Sequence, residues 1–351
     1  MKLPELKELV KDDVLPPIVS DIGEEAIIDQ VQEEHEVCWE FLRPRLEENL
    51  LRLTVYNNQK RDKSKIGDPL LFTVFQTLLA SLYNDRLSVK FLPNEEGDID
   101  RAENNNEMAE YDYRIMQKDM LDYDWDWDAM FCGWGMVLFN EFDRKKKCPI
   151  PEVIDPFTFL RDPRATAPNG DTKGNNSLRF WGREIDLTGW ELEKNKSYFN
   201  LDNLKKGKDL RSLISKAKEK RRRAQGLAEL SSDKDDDMQE NGQYNILHWY
   251  THIEGKKYLV GLGNAKTELV RFTEIKDDRW PLIKRNLFPT AHNWDGVSVP
   301  DLVEDKQRAR AVIANLGLDG AKADVMPNYL YAEDRINPEK AYCYNTRDGT
   351  E

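Results

Sequence analysis

The residues best equipped for chemistry are four carboxylates interleaved with rings, Asp122-Tyr123-Asp124-Trp125-Asp126-Trp127-Asp128. Acid and aromatic side chains in alternation suit a carbohydrate or cation site, and a carboxylate pair is what glycoside hydrolysis requires. The run closes a helical pattern, however, and residues two apart on a helix do not face each other. The four aspartates are therefore expected to spread around the axis as solvated acids at the edge of an aromatic core, with a carbohydrate-acting hydrolase using Asp122–Asp128 as the alternative. Gly133-Trp134-Gly135 has the Gly-x-Gly of a nucleotide loop, but that loop needs a strand before it and a helix after it, and here the order is reversed. His248 and His252 can share one face of a strand, yet two histidines without a third ligand do not define a metal site. Cys38, Cys132, Cys148 and Cys343 are far apart with no Cys-x-x-Cys spacing, which fits reduced thiols better than a disulfide or zinc framework. The basic run Lys216 to Arg223, followed by Asp233-Lys-Asp-Asp-Asp, reads as an exposed charged insertion, with a DNA contact as the second reading. No catalytic residue, cofactor or metal site is assigned.

Composition sets the frame for these residues. The chain has 351 residues with 39% hydrophobic and 33% charged content, a globular balance with room for two domains or one elaborated one. A formal net charge of −13 disfavours a module that grips phosphates, which is usually basic. No run of eighteen apolar residues is present, so no membrane span is expected. The start, Met1 to Asp13, lacks an apolar signal core, so secretion is not expected.

The elements that must position these residues read as α+β. Residues 1–60 form a helical N-terminal arm: after the prolines at 4, 16 and 17, Ile27, Val31, Cys38, Leu42, Leu46 and Leu53 recur at helical spacing, with Pro44 as an expected kink. A second helix carries Leu71, Phe75 and Leu79. Leu87–Phe91 alternates like a strand, Asn94–Asn106 is a polar loop, and one long helix is expected from Asn106 to Cys132. Strands follow at Met136–Phe142, at proline-bounded segments around Pro149–Phe157 and Phe159–Ala165, at Leu178–Glu184, at Tyr244–Ile253 with Lys257–Leu262 across a Glu254-Gly255 turn, and at Glu268–Phe272. Thr188 is placed to cap a short helix. Residues 61–297 thus make one mixed region holding a charged insertion at 203–243. Ser298, with Asp301 three residues on and Pro300 in the first turn, opens a last helix. Val299, Leu302, Ala309, Ile313 and Leu316 make its apolar stripe and Gly320 its stop, giving about twenty residues, or roughly 30 Å.

Three stretches resemble the portal (head–tail connector) proteins of tailed bacteriophages. They are Asp128-Ala…Gly133-x-Gly135 before a strand, Pro149…Asp162-Pro-Arg-Ala165, and the approach to the last helix, with its Pro, Gly296-x-Ser298, Gln307 and Asn315. The resemblance implies a ring-forming subunit with a wing over 61–297, a stem helix over 298–321 and the start of a clip over 322–351, ending before a second stem helix and crown. It implies a ring, commonly of twelve copies, at one capsid vertex, assembled in the host cytoplasm and carried in the virion. Double-stranded DNA would pass through without sequence specificity. The terminase large subunit, tail adaptor proteins and the major capsid protein would be partners, and the subunit would do no chemistry. A virion structural protein without a channel is the further alternative. On the stem helix, Leu302, Ala309, Ile313 and Leu316 would pack against neighbouring subunits, and Glu304, Asp305 and Arg308 would face the channel.

Overall fold

A computed structural model describes residues 23–57, 69–83, 90–143, 147–169, 176–204, 243–264 and 266–325. The proline-broken start, most of the strand expected at Leu87–Phe91, most of the charged insertion and most of the clip segment lie outside the described residues. By their contacts the described residues fall into two units, one up to Asp305 and one from Lys306 onward.

In the first unit, helix α1 (Glu24–Tyr56) is 33 residues long. Its buried positions Ile27, Val31, His35, Cys38, Leu46, Leu53 and Tyr56 recur every three or four residues, so one stripe serves its whole length. The first half of that stripe packs on one face of a sheet, against Leu247, Trp249, Val260, Leu262 and Leu269. The second half meets α2 (Leu70–Leu82) through Leu71, Phe75 and Leu79, together with Met130, Phe131, Val299 and Val303. Pro44 sits inside the helix.

The helix expected over Asn106–Cys132 is two helices, α3 (Ile99–Ile115) and α4 (Lys118–Cys132). Gln117 takes a left-handed conformation, φ 50°, and breaks the ladder between them. Apolar periodicity continues across the break and no glycine or proline marks it, which is why one helix was expected. All but the first two residues of the expected polar loop Asn94–Asn106 are helical too, a 3-10 turn over Glu96–Asp98 running into α3.

Strands β1 (Gly135–Asp143), β2 (Cys148–Ile154) and β8 (Leu282–Arg285) form a three-stranded antiparallel sheet in the order β2-β1-β8. β2, on one edge, contains Pro149 and Pro151. Strands β3 (Phe159–Arg161), β4 (Trp181–Thr188), β5 (Gln243–Ile253), β6 (Lys256–Gly263) and β7 (Glu268–Ile275) form a second antiparallel sheet in sequence order. Short helix α5 (Gly189–Lys194) follows β4, and Thr188 and Glu191 close a capping box at its start. β5 and β6 join through Glu254 (φ 51°) and Gly255 (φ 80°). Two left-handed residues in a two-residue loop are what a type I′ hairpin demands. Trp181 on β4 lies opposite Tyr250 on β5, with ring centroids 3.7 Å apart and planes 7° from parallel. These rings share a core with Trp134, Met136, Ile154, Phe159, Trp280, Leu282 and Trp294, which ties the two sheets together.

The last helix, α6, runs Val299–Val325 and passes straight through Gly320. A helical glycine costs only about 1 kcal/mol relative to alanine, and good helix formers surround this one. Its start is as expected: Ser298 Oγ accepts from the Asp301 amide, and the Asp301 carboxylate accepts from the Ser298 amide at 3.0 Å.

Candidate functional site

The most elaborate polar cluster among the described residues surrounds the approach to α6. α4 ends at Gly133, φ 81°. The Gly296 amide donates to the Gly133 carbonyl at 3.1 Å, and Asn286 Nδ2 donates to the same oxygen. A Cβ on Gly133 would sit 2.4 Å from the Gly296 oxygen, and one on Gly296 would sit 2.5 Å from the Phe288 oxygen. Only two glycines let these backbones touch. Two stretches far apart in sequence, Gly133-x-Gly135 and Gly296-x-Ser298, are therefore one physical joint.

Beside the joint, rings and cations alternate. Phe41 of α1 has Arg45 and Arg161 within 5.0 Å of its centroid, and Trp294 has Arg161 and Lys284 at similar range. Asp295 ion-pairs with both Arg45 and Arg161, the latter at 3.1 Å. Burial lowers the Arg161 pKa to about 10, and Asp295 opposes that shift. Burial likewise brings Lys284 down to about 8; its Nζ donates to the carbonyls of Thr166 and Trp294. One turn along α1 from Asn49, Arg52 reaches Glu48 at 2.6 Å, Asp301 in the first turn of α6, and Glu304 at 3.9 Å. A cavity of about 300 Å³ lies among these groups, lined by Phe41, Arg45, Arg52, Arg161, Asp295 and Asp301 with others. The adjacent Asp162 is 1% exposed. Burial would raise its pKa, but hydrogen bonds from Arg179 and from the Arg164 amide outweigh burial and hold the carboxyl below its ordinary range.

The aspartate-aromatic run is not the solvated fringe expected from its spacing. Asp122, Asp126 and Asp128 are buried and only Asp124 is exposed. Asp122 and Asp126, one turn apart, both face Arg285 of β8, at 3.7 and 2.6 Å. Lys118 also holds Asp122, and Tyr83 donates to Asp126 at 2.8 Å. Burial, then that hydrogen bond, drives the Tyr83 pKa up. Arg285 lies 3.9 Å over the Trp125 ring. The acids converge after all, because residues four apart share a face, but they converge on an arginine that fastens α4 to a sheet. The two histidines each have their own neighbour: His248 shares a hydrogen bond with the Tyr198 hydroxyl, and His252 with the Arg179 carbonyl. Among the described residues no group of three or more His, Cys, Asp or Glu is arranged to hold a metal.

On α6, Leu302 (52%), Ile313 (69%) and Leu316 (65%) are exposed, as is Ala309. Val299, Val303 and Gln307, four apart, form the buried line. Asp305 and Arg308 are exposed; Glu304 is half-buried and turned to Arg52. Sequence reasoning did not find Arg45, Arg52, Arg161 or Asp295. Their partners are up to 250 residues away, and a lone arginine in a helical pattern carries no sign of its partner.

Arginine–carboxylate and cation–ring contacts here brace helices against sheets and fix the root of a long helix whose apolar side stays bare. The chain is in class an α+β protein, with helices braced against two antiparallel sheets. Residues 140–348, more than half of the chain, match the family model for the phage SU10 portal protein, and the chain belongs to that phage portal family. No curated protein matches it. The family is structural and non-enzymatic, made of virion components that act as capsid-associated oligomers.

Proposed function

We propose that the chain is the repeating subunit of a portal ring of twelve copies around a channel at one capsid vertex, through which double-stranded DNA is packaged and later ejected. In this reading the terminase large subunit and tail adaptor proteins attach to the ring and the major capsid protein surrounds it. Residues 61–297 serve as the wing, α6 as the stem helix and residues beyond it as the start of the clip. The observation that carries the reading is α6 itself: in a chain of the portal family, a 27-residue helix leaves Leu302, Ile313 and Leu316 exposed. Such a stripe needs a partner, and neighbouring copies supply it. Asp305 and Arg308 lie on the arc opposite Val299 and Val303 and are placed on the channel wall. Glu304, expected beside them, is drawn toward Arg52 and takes a place at the root of the wall.

Microscopy of the purified full chain, with light scattering for mass, tests this. Closed rings with a central hole wide enough for a DNA duplex are expected. Ile313→Asp should fold normally, since the position is exposed in the single chain, and fail to form rings because assembly would bury an unpaired charge. A wild-type chain that stays monomeric at every concentration, or an Ile313→Asp chain that assembles normally, refutes the reading.

A further inference from the structure

Two of the guanidiniums at the cavity meet at one atom. Arg45 Nη1 of α1 and Arg161 Nη2 of β3 both donate to Oδ2 of Asp295, the latter at 3.1 Å. Their guanidinium carbons also share one ring, at 5.0 and 4.8 Å from the Phe41 centroid. Lys284 in turn shares the Trp294 ring with Arg161. Three cations thus gather around one carboxylate. Asp162 stands next to Arg161 in the chain, but its two oxygens accept from Arg179. The crowding is felt: burial lowers the pKa of Arg161 and of Lys284, and a neighbouring cation, Arg45 and Arg161 respectively, lowers each further. An arginine has five N–H groups. Among the described residues Arg45 donates to Asp295 alone, and Arg161 donates to Asp295 and, at 3.4 Å, to the Asp162 carbonyl. Both side chains line the cavity of about 300 Å³, which is the small end of the size range of ligand pockets.

We propose that this end of the cavity binds a small free oxyanion of the phosphate or sulfate class, held by the N–H groups of Arg45 and Arg161 that Asp295 leaves unused. Guanidinium forks match the oxygens of such an anion two at a time. The walls include Phe41, Trp134 and Phe159, and apolar walls strengthen a charge contact relative to water. Arg161 is 5% exposed and the Arg45 side chain 42%, so one partner is fixed in the interior and the other stands at an entrance. The lining as a whole sets three arginines against three carboxylates, Glu48, Asp295 and Asp301, yet it separates them. Arg52 lies about 10.5 Å of helix rise from Arg45, and it already holds Glu48, Asp301 and Glu304. That acidic end repels an anion and confines it to the Arg45 end. It also selects a free ion over a phosphodiester chain, whose next phosphates would meet these carboxylates. The bound ion would tie α1, β3 and the loop before α6 together by one more charge-assisted contact. The inference stands apart from the ring reading, because every group in it belongs to a single chain.

The full chain is titrated with sodium phosphate and, separately, sodium sulfate, with chloride holding the ionic strength constant, and thermal unfolding and binding heat are recorded. A saturable rise in the unfolding midpoint is expected, roughly 5 °C at a hundredfold excess over Kd. Both ions also stabilise proteins generally by exclusion from the surface, but that effect neither saturates nor depends on one arginine. Arg45→Gln is therefore the deciding variant. The position is half-exposed, so the chain should fold, and it should lose the saturable rise and the binding heat. Arg45→Lys keeps the charge without the fork and should bind more weakly than wild type. Lys256→Gln, exposed on β6, should keep the full effect. No saturable rise in the wild-type chain, or an unchanged one in Arg45→Gln, refutes the site. A short DNA duplex that gives the Arg45-dependent rise where free phosphate and sulfate give none refutes the free ion and assigns the arginines to a nucleic-acid backbone.

Discussion

Asp124 and Asp126 are two residues apart, chemically identical and on opposite sides of an energetic divide. Asp126 is buried against Arg285 and accepts from Tyr83, whereas Asp124 is exposed. Asp126→Ala should cost about 1–3 kcal/mol, because it takes from Arg285 the nearer of its two carboxylates and from the Tyr83 hydroxyl its acceptor. Asp124→Ala should stay within about 0.5 kcal/mol of wild type. Denaturant midpoints measured side by side check this, and equal effects would show that the Arg285 cluster adds nothing. Gly296→Ala should cost about 1–3 kcal/mol, since the added methyl meets two carbonyl oxygens that belong to backbone and cannot swing aside. Unfolding at the wild-type midpoint would mean the joint with Gly133 gives way freely. His35 supplies a pH dependence. Burial, and then the adjacent Lys266, lower its pKa from 6.5 to about 3. Between those values the unfolded chain holds a proton that the folded chain refuses. The stability is therefore complete above pH 6.5 and declines as the pH falls toward 3, by about 1.4 kcal/mol per unit. His35→Gln should show a shallower decline between pH 6.5 and pH 5; an unchanged slope would assign the decline elsewhere. Buried His248, also shifted down, acts in the same direction and keeps the variant's slope above zero.

At the scale of elements, local chemistry was readable and long-range pairing was not. Thr188 and Ser298 announced their helices because a cap is decided within four residues, and Glu254-Gly255 announced its hairpin for the same reason. The division of α3 from α4 was hidden, since Gln117 adopts a left-handed turn that no residue type advertises. Gly320 misled in the other direction: a glycine can end a helix, but nothing obliges it to. The stripe on α6 was readable in outline from its spacing. That it is bare, with Val299, Val303 and Gln307 turned inward instead, depends on what the rest of the chain covers. The site around Asp295 was invisible because its parts come from α1, β3 and the loop before α6, and only folding brings them together.

For the whole molecule, the prediction from portal membership is a closed assembly, and the ring experiment above decides it. The sheets bear on how such an assembly avoids its competitors. An edge strand ordinarily offers donors and acceptors to any similar strand, and many copies of one chain at high local concentration would tend to join in open-ended ribbons. β2 forms an outer edge of its sheet and carries two prolines, Pro149 and Pro151, which have no N–H to donate. That side of the subunit is thereby poisoned for runaway growth. At that edge, the competition between a finite particle and an endless fibre is tilted at the level of two missing hydrogen atoms.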